Sequence, residues 1–75
     1  MRRTAVVVGD RLRELRRLRG LSQQDLAGRA GISPHTLSGL ERQPKASCRT
    51  RTLARLAAAL GEKPSSIGLG IGRPD

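Results

Sequence analysis

Arg42, Lys45, Arg49 and Arg51 fall within ten residues that hold no acid, directly after a segment carrying His35, Thr36 and Ser38. The chemistry these types can do is recognition rather than bond-making. Guanidinium forks hold phosphates and base edges bidentately, and an imidazole or a hydroxyl donates or accepts singly. The whole chain has the same bias: 15 Lys and Arg against 6 Asp and Glu in 75 residues leave a net charge of +9, and only Lys45 and Lys63 are lysines. A polyanion is the partner this balance implies. Catalysis is excluded on composition, because one His, one Cys and scattered acids assemble no set of nucleophile, base and orienting group. The same count rules out an intrachain disulfide and a multi-cysteine zinc site, so neither metal nor cofactor is expected. No run of about 18 apolar residues is present, and Met1 to Asp10 lacks the apolar stretch of a secretory leader. A membrane-surface helix would normally carry Trp or Phe, and the chain has no aromatic residue. The expectation is a soluble, cytoplasmic protein that does not bind membranes.

The elements that must position these residues can be read from caps and spacing. One domain is expected, and with 36% hydrophobic residues, mostly Leu and Ala, its core must be thin and aliphatic. A second copy or a bound partner would add stability. Asp10 is placed to cap a first helix with Leu12, Leu15 and Leu18 at three-residue steps, stopped by Gly20. Ser22 opens a second, with Asp25 as the acid of a capping box and Leu26, Ala27 and Ala30 on one face before Gly31. Ser33 and Pro34 start a third, because Ser accepts orphan amide hydrogens and Pro presets φ. It runs to about Arg42, with Leu37, Leu40 and Glu41 inward and His35, Thr36, Ser38, Gly39 and Arg42 outward. Gln43 to Thr50 reads as a basic loop. A fourth helix spans about Arg51 to Leu60, with Leu53, Leu56, Ala57 and Leu60 at i, i+3, i+4 and i+7 and Gly61 as its stop. Pro64 starts one further turn, anchored by Ile67. Residues 1–8 are expected to form a flexible arm and 68–75 a flexible tail around a domain at 9–67. The alternative pairs Val6 to Val8 as a strand with the Gly-Leu-Gly-Ile tail, and is disfavoured because alternating Gly weakens a strand.

Arg16 lies four residues after Leu12, and Glu41 four after Leu37, so both sit beside the apolar stripes. Alone, either inward charge would be costly; paired, they would tie the first helix to the end of the third. The second and third helices, joined by a tight turn at Gly31, have the layout of a helix-turn-helix. Ala27 is small where the two cross, and Gly31 supplies the positive φ the turn needs. Such a unit can project the N-terminal end of its second helix into a groove about 12 Å wide.

The run LSQQDLAGRAGISPHTLSGLE resembles the phage repressor and Cro family of the XRE type. The likeness extends over about Gly9 to Ile67: GDRLRELRRLRGLSQ is similar to the family's first helix and its Leu-Ser-Gln entry, and RTLARLAAALG to its fourth helix. It implies an all-α fold, a compact five-helix bundle with a central helix-turn-helix, that binds double-stranded DNA, usually as a homodimer on a near-palindromic site. By position, Gln23 matches a residue that bonds a phosphate and props the recognition helix, and Ser33 a polar cap that makes a second phosphate contact. Positions 34, 35, 38 and 39 match those from which relatives read bases. Pro34 and Gly39 offer no side-chain hydrogen bond, which leaves direct reading to His35, Thr36, Ser38 and Arg42, with Gly39 a point of close approach to a thymine methyl or the sugar-phosphate wall. Arg16 and Glu41 match a structural ion pair. Arg42, Lys45, Arg49 and Arg51 match a segment that contacts the phosphate backbone. The segment departs from the family in Gln43, where Gly is common, and in Cys48, where Pro is common and which reads as a small filler. Arg2 and Arg3 can reach a minor groove as an arm.

The implied function is sequence-specific regulation of transcription at the nucleoid, most simply repression by occluding a promoter. Two other readings stay open: an antitoxin-like or accessory module that docks a protein, motivated by Pro34 and Gly39, and nonspecific DNA packing driven by charge. A dimer surface is expected on the fourth helix and the turn after it, with Ile67, Leu69 and Ile71.

Overall fold

Caps and apolar spacing resolve into four helices in the computed structural model, which describes residues 4–71: α1 (Gly9–Leu18), α2 (Gln23–Ala30), α3 (Pro34–Glu41) and α4 (Thr50–Leu60). Three short strands accompany them, β1 (Thr4–Val7), β2 (Ala46–Arg49) and β3 (Gly68–Ile71), with one 3-10 turn at Pro64–Ser66. The sheet corrects the all-α, five-helix expectation, and the fifth helix amounts to that single turn. Its order is β2-β1-β3, antiparallel throughout. Thr4 faces Arg49 and Val7 faces Ala46 on one side. On the other, Ala5 faces Ile71 and Val7 faces Gly68, with an irregularity between Val6 and Val7.

Residues 4–7 are therefore the central strand rather than part of a flexible arm, 68–71 an edge strand rather than a tail, and 46–49 a strand within the segment read as a loop. Period-two burial explains the first of these. Ala5 and Val7 are buried while Thr4 is exposed, so β1 lays an apolar face over the helices. Glycine helps β3 rather than only weakening it: a Cβ on Gly68 would meet Leu53 Cδ2 and the Val6 carbonyl, each at 3.0 Å. Met1 to Arg3, with the Arg2 and Arg3 of the expected arm, and residues 72–75 lie outside the described residues.

The start of α1 also differs from expectation. Its N-cap is Val8, with no side-chain cap, and Asp10 sits in the first turn paired with Arg13 at 3.0 Å. Tertiary carbonyls do the capping: the Val8 amide donates to Ile67 O at 2.8 Å and the Gly9 amide to Pro44 O at 3.2 Å. Gly9 is buried against the end of α3, where a Cβ would stand 2.1 Å from the Gln43 carbonyl and 2.6 Å from that of Leu40. Steps of three residues drift by about 60° each around a 3.6-residue helix. Accordingly Leu12 is fully buried, Leu15 partly, and Leu18 is 72% exposed. At α2 the capping box forms as read, Ser22 Oγ accepting from the Asp25 amide at 3.0 Å and Asp25 Oδ2 from the Ser22 amide at 3.1 Å.

Leu12, Leu26, Leu37, Leu53, Leu56, Ile67 and Val7 form the fully buried centre. Ile67 is thus spent inside the chain and is unavailable to a dimer surface. Among the described residues no helix is long and apolar enough to cross a membrane.

Candidate nucleic-acid interface

α2 and α3 are joined by Gly31, Ile32 and Ser33. Gly31 takes φ 71°, the left-handed conformation that lets α2 stop and the chain turn, and the Ile32 amide closes back onto Ala27 O at 3.0 Å. Ser33 then caps α3, its Oγ accepting from the Thr36 amide at 3.1 Å and donating to Thr36 Oγ1 at 2.9 Å. Ser33 has committed its proton within the helix, whereas the Thr36 hydroxyl keeps its own to donate. No acid lies in the first turn of α3, so the positive end of its dipole is unopposed. His35 and Thr36 are exposed, and Ser38 and Gly39 half-buried, on the side of α3 away from Leu37 and Leu40.

One polar cluster fixes this helix. Glu41 is 3% exposed, and it accepts from Arg16 Nε at 2.7 Å, Arg16 Nη2 at 3.0 Å and Gln23 Nε2 at 3.1 Å. Arg16 Nη1 donates in addition to Leu21 O at 2.8 Å. The carboxylate thereby joins α1, the entry to α2, and the last residue of α3. Every one of its bonds is bidentate or charge-assisted, which is what a carboxylate in this position requires. Gln23 uses one amide hydrogen on Glu41 and retains a second that can serve a phosphate.

Arg42 is the C-cap residue of α3, Lys45 sits in the bend before β2, Arg49 ends β2, and Arg51 lies in the first turn of α4. All four are exposed, and no hydrogen bond or ion pair of their side chains occurs among the described residues. The positioning element is β1, whose ladder holds Ala46–Arg49 in place. Between Ala30 and Gly61 the one carboxylate is Glu41, which is buried on Arg16, so nothing acidic interrupts this surface. Arg55 extends it. Its Nη1 would lie 3.7 Å from a Cβ on Gly31, placing a further exposed guanidinium beside the α2–α3 turn.

Sequence reasoning had no means of finding three features here. Arg55 is one, since its neighbourhood to Gly31 is purely tertiary. Arg19 is another: Nε caps α4 through Leu60 O at 2.9 Å and Nη2 meets Glu62 at 2.6 Å. The third is Gly9, whose signal was only a glycine at a helix start. Cys48 is half-buried against the core, and burial pushes its thiol pKa up. The backbone amide of Ser22, aided by its hydroxyl, holds the exposed Asp25 carboxyl below its ordinary value.

Gly39, like Gly28 in α2, has no positive φ, and a Cβ there would meet nothing within 4 Å. It costs α3 about 1 kcal/mol relative to Ala with no return in packing.

Residues 7–66 match the family model described as a helix-turn-helix domain. No curated protein matches the chain significantly. Among solved structures, the restriction-modification controller protein C.AhdI from Aeromonas hydrophila is 37% identical with a TM-score of 0.73, the match covering 79% of this chain and 88% of that one. SinR, a master regulator for biofilm formation solved in complex with DNA and known from Bacillus subtilis, is 28% identical with a TM-score of 0.73, covering 77% and 92%. The clp gene regulator ClgR from Corynebacterium glutamicum is 34% identical with a TM-score of 0.70, covering 77% and 61%. The α2–α3 geometry, the span of the family match and these likenesses agree with the repressor and Cro resemblance in the sequence: the chain belongs to the helix-turn-helix domain family.

Proposed function

We propose that α3 enters the major groove of double-stranded DNA, with His35, Thr36 and Ser38 at base edges and Gln23, Ser33, Arg42, Lys45, Arg49 and Arg51 on phosphates. The chain is a DNA-binding regulator of transcription. Repression, by a cytoplasmic protein occupying a promoter, is the simplest form this takes. One observation supports the reading above the others: the sole carboxylate between Ala30 and Gly61 is buried on Arg16, so the exposed Arg42, Lys45, Arg49 and Arg51 have no acid among them. Ser33 donates to a phosphate by turning its hydroxyl hydrogen away from Thr36 Oγ1, the acceptor it has in the free chain. A homodimer on a near-palindromic site follows from the family, since two recognition helices one turn of DNA apart, about 34 Å, read a doubled half-site. No catalytic step belongs to this function. A protein partner is a second reading, favoured by Pro34 and Gly39, which leave two positions of the reading helix without a donor.

The test is selection from random duplexes followed by guanine N7 methylation protection on the winning sequence. Protection in two major-groove segments about one helical turn apart supports the reading. Protection absent from the major groove would remove α3 from it.

A further inference from the structure

We propose that the seam between α2 and α4 is a docking groove for an acidic, amphipathic helix of another protein. Its carboxylates meet Arg29 and Arg55, and its apolar side chains cover Ala58 and Ala59. The inference does not depend on α3 entering DNA.

Most cations of the described residues already have a place. Arg13, Arg16 and Arg19 are paired with Asp10, Glu41 and Glu62. Arg11 donates to Ser66 O at 3.3 Å, and Arg42, Lys45, Arg49 and Arg51 form the proposed phosphate surface. Arg17, Arg29, Arg55 and Lys63 remain, and two of them line one groove. Arg29 stands on its α2 wall beside Gly28, and Arg55 on its α4 wall with Ala58 and Ala59. Both arginines are exposed, and no hydrogen bond or ion pair of their side chains occurs among the described residues. No acid lines the groove. The acid nearest to Arg29 in the sequence, Asp25, is committed to the Ser22 cap.

Shape and chemistry narrow the occupant. Arg55, Ala58 and Ala59 stand at i, i+3 and i+4, so they share one face of α4, and Ala58 is exposed. A Cβ on Gly28 would meet nothing within 4 Å, so the α2 side is open as well. A trough between two helices with a methyl-lined floor accepts a third helix laid along it. Guanidinium forks on opposite walls then take carboxylates bidentately. A DNA strand fits less well, because beyond the two cations its phosphates would find alanine methyls, which offer no donor. Arg55 also leans over the α2–α3 turn, its Nη1 3.7 Å from where a Cβ on Gly31 would stand, so the occupant would lie next to the entry to α3.

The probe is a capped peptide of about 16 residues, long enough to be helical, with Glu and Leu on one face and Gln elsewhere. It is titrated into the isotope-labelled full chain at about 150 mM salt, beside a twin in which every Glu is Gln. The Glu peptide should saturably shift the amides of Gly28, Gly31, Ala58 and Ala59, and the Gln peptide should not. Arg29→Gln with Arg55→Gln should weaken binding about tenfold, the worth of two exposed ion pairs. Removing the same number of charges by Arg17→Gln with Lys63→Gln should leave it nearly unchanged. Gly28→Leu, which fills the trough, should abolish the shifts without lowering Tm, since Leu is the better helix former.

Equal losses from the two double substitutions overturn the groove and assign the attraction to the net charge of +9. So do shifts centred on Arg42, Lys45, Arg49 and Arg51, which make the peptide a mimic of phosphate. A Glu peptide that binds no better than its Gln twin overturns it as well. If Arg29→Gln with Arg55→Gln instead flattens the salt slope of duplex binding by about 1.8, the groove belongs to DNA and the protein partner is excluded from it.

Discussion

Glu41 has three donors and almost no contact with water, so its energetics are those of a buried ion pair. Arg16→Met should destabilise the chain by about 3–5 kcal/mol in urea unfolding, because it leaves the carboxylate stranded, and adding Glu41→Leu should return much of that loss. If the single change costs no more than an exposed pair, about 1 kcal/mol, the cluster does not hold α3 in solution. Gly9→Ala should cost about 1–3 kcal/mol, since its methyl would stand 2.1 Å from the Gln43 carbonyl and backbone must move to admit it. Cys48 is a free thiol half-buried against the core. Its raised pKa leaves less thiolate at neutral pH, so alkylation should run slower in the folded chain than in urea. The sign follows for stability too: the preference for the neutral thiol is fully present at neutral pH and is lost as pH climbs through the folded-state pKa. At this scale the sequence was readable where a residue acts locally. Ser22, Asp25, Gly31 and Ser33 cap and turn the chain through neighbours three residues away, whereas Arg19 and Gly9 act through partners more than thirty residues distant.

Among elements, the helices followed from their period and their caps, and the strands did not. β1 has four residues, β2 reads Ala-Ser-Cys-Arg, and β3 alternates glycine, so none carries enough β signal alone to outweigh a coil. β2 and β3 each pair with β1 alone, β1 pairs with both, and α4 packs against β1 and β2. The sheet bears on the proposed interface through β2, which ends in Arg49 and lies between Lys45 and Arg51 in the chain. Val7→Ala, removing a wholly buried side chain from the central strand, should cost about 2 kcal/mol and lower hydrogen-exchange protection at Ala46–Arg49 before that of α4. Four phosphates neutralised by Arg42, Lys45, Arg49 and Arg51 predict a salt slope of about −3.6 per subunit. Replacing Arg49 and Arg51 with Gln should flatten the slope by about 1.8 per subunit while leaving the ratio of selected to scrambled affinity nearly unchanged. A loss of that ratio with the slope intact would move those arginines from phosphates to bases.

For the whole molecule, one thin aliphatic core joins the helix-turn-helix to the sheet, and β1 adds the buried Ala5 and Val7 to it. The expected dimer patch lost Ile67 to this core, since a residue at a turn gives no sign from sequence of whether its apolar contact is within the chain or across a two-fold. A homodimer should appear as a concentration-dependent mass in sedimentation at micromolar protein; a monomer that dimerises only on DNA would place the two-fold in the operator rather than in the free protein. The site was more legible than the fold around it, because capping, register and charge are local properties, while strand pairing is not. Its central claim is that α3 reads sequence and the cations only hold it there. The direct measurement is titration of a selected duplex against its scrambled counterpart at about 150 mM salt with excess competitor DNA. The account predicts a selected duplex bound at least about a thousandfold tighter. Equal binding to both, with the steep salt slope retained, would contradict it.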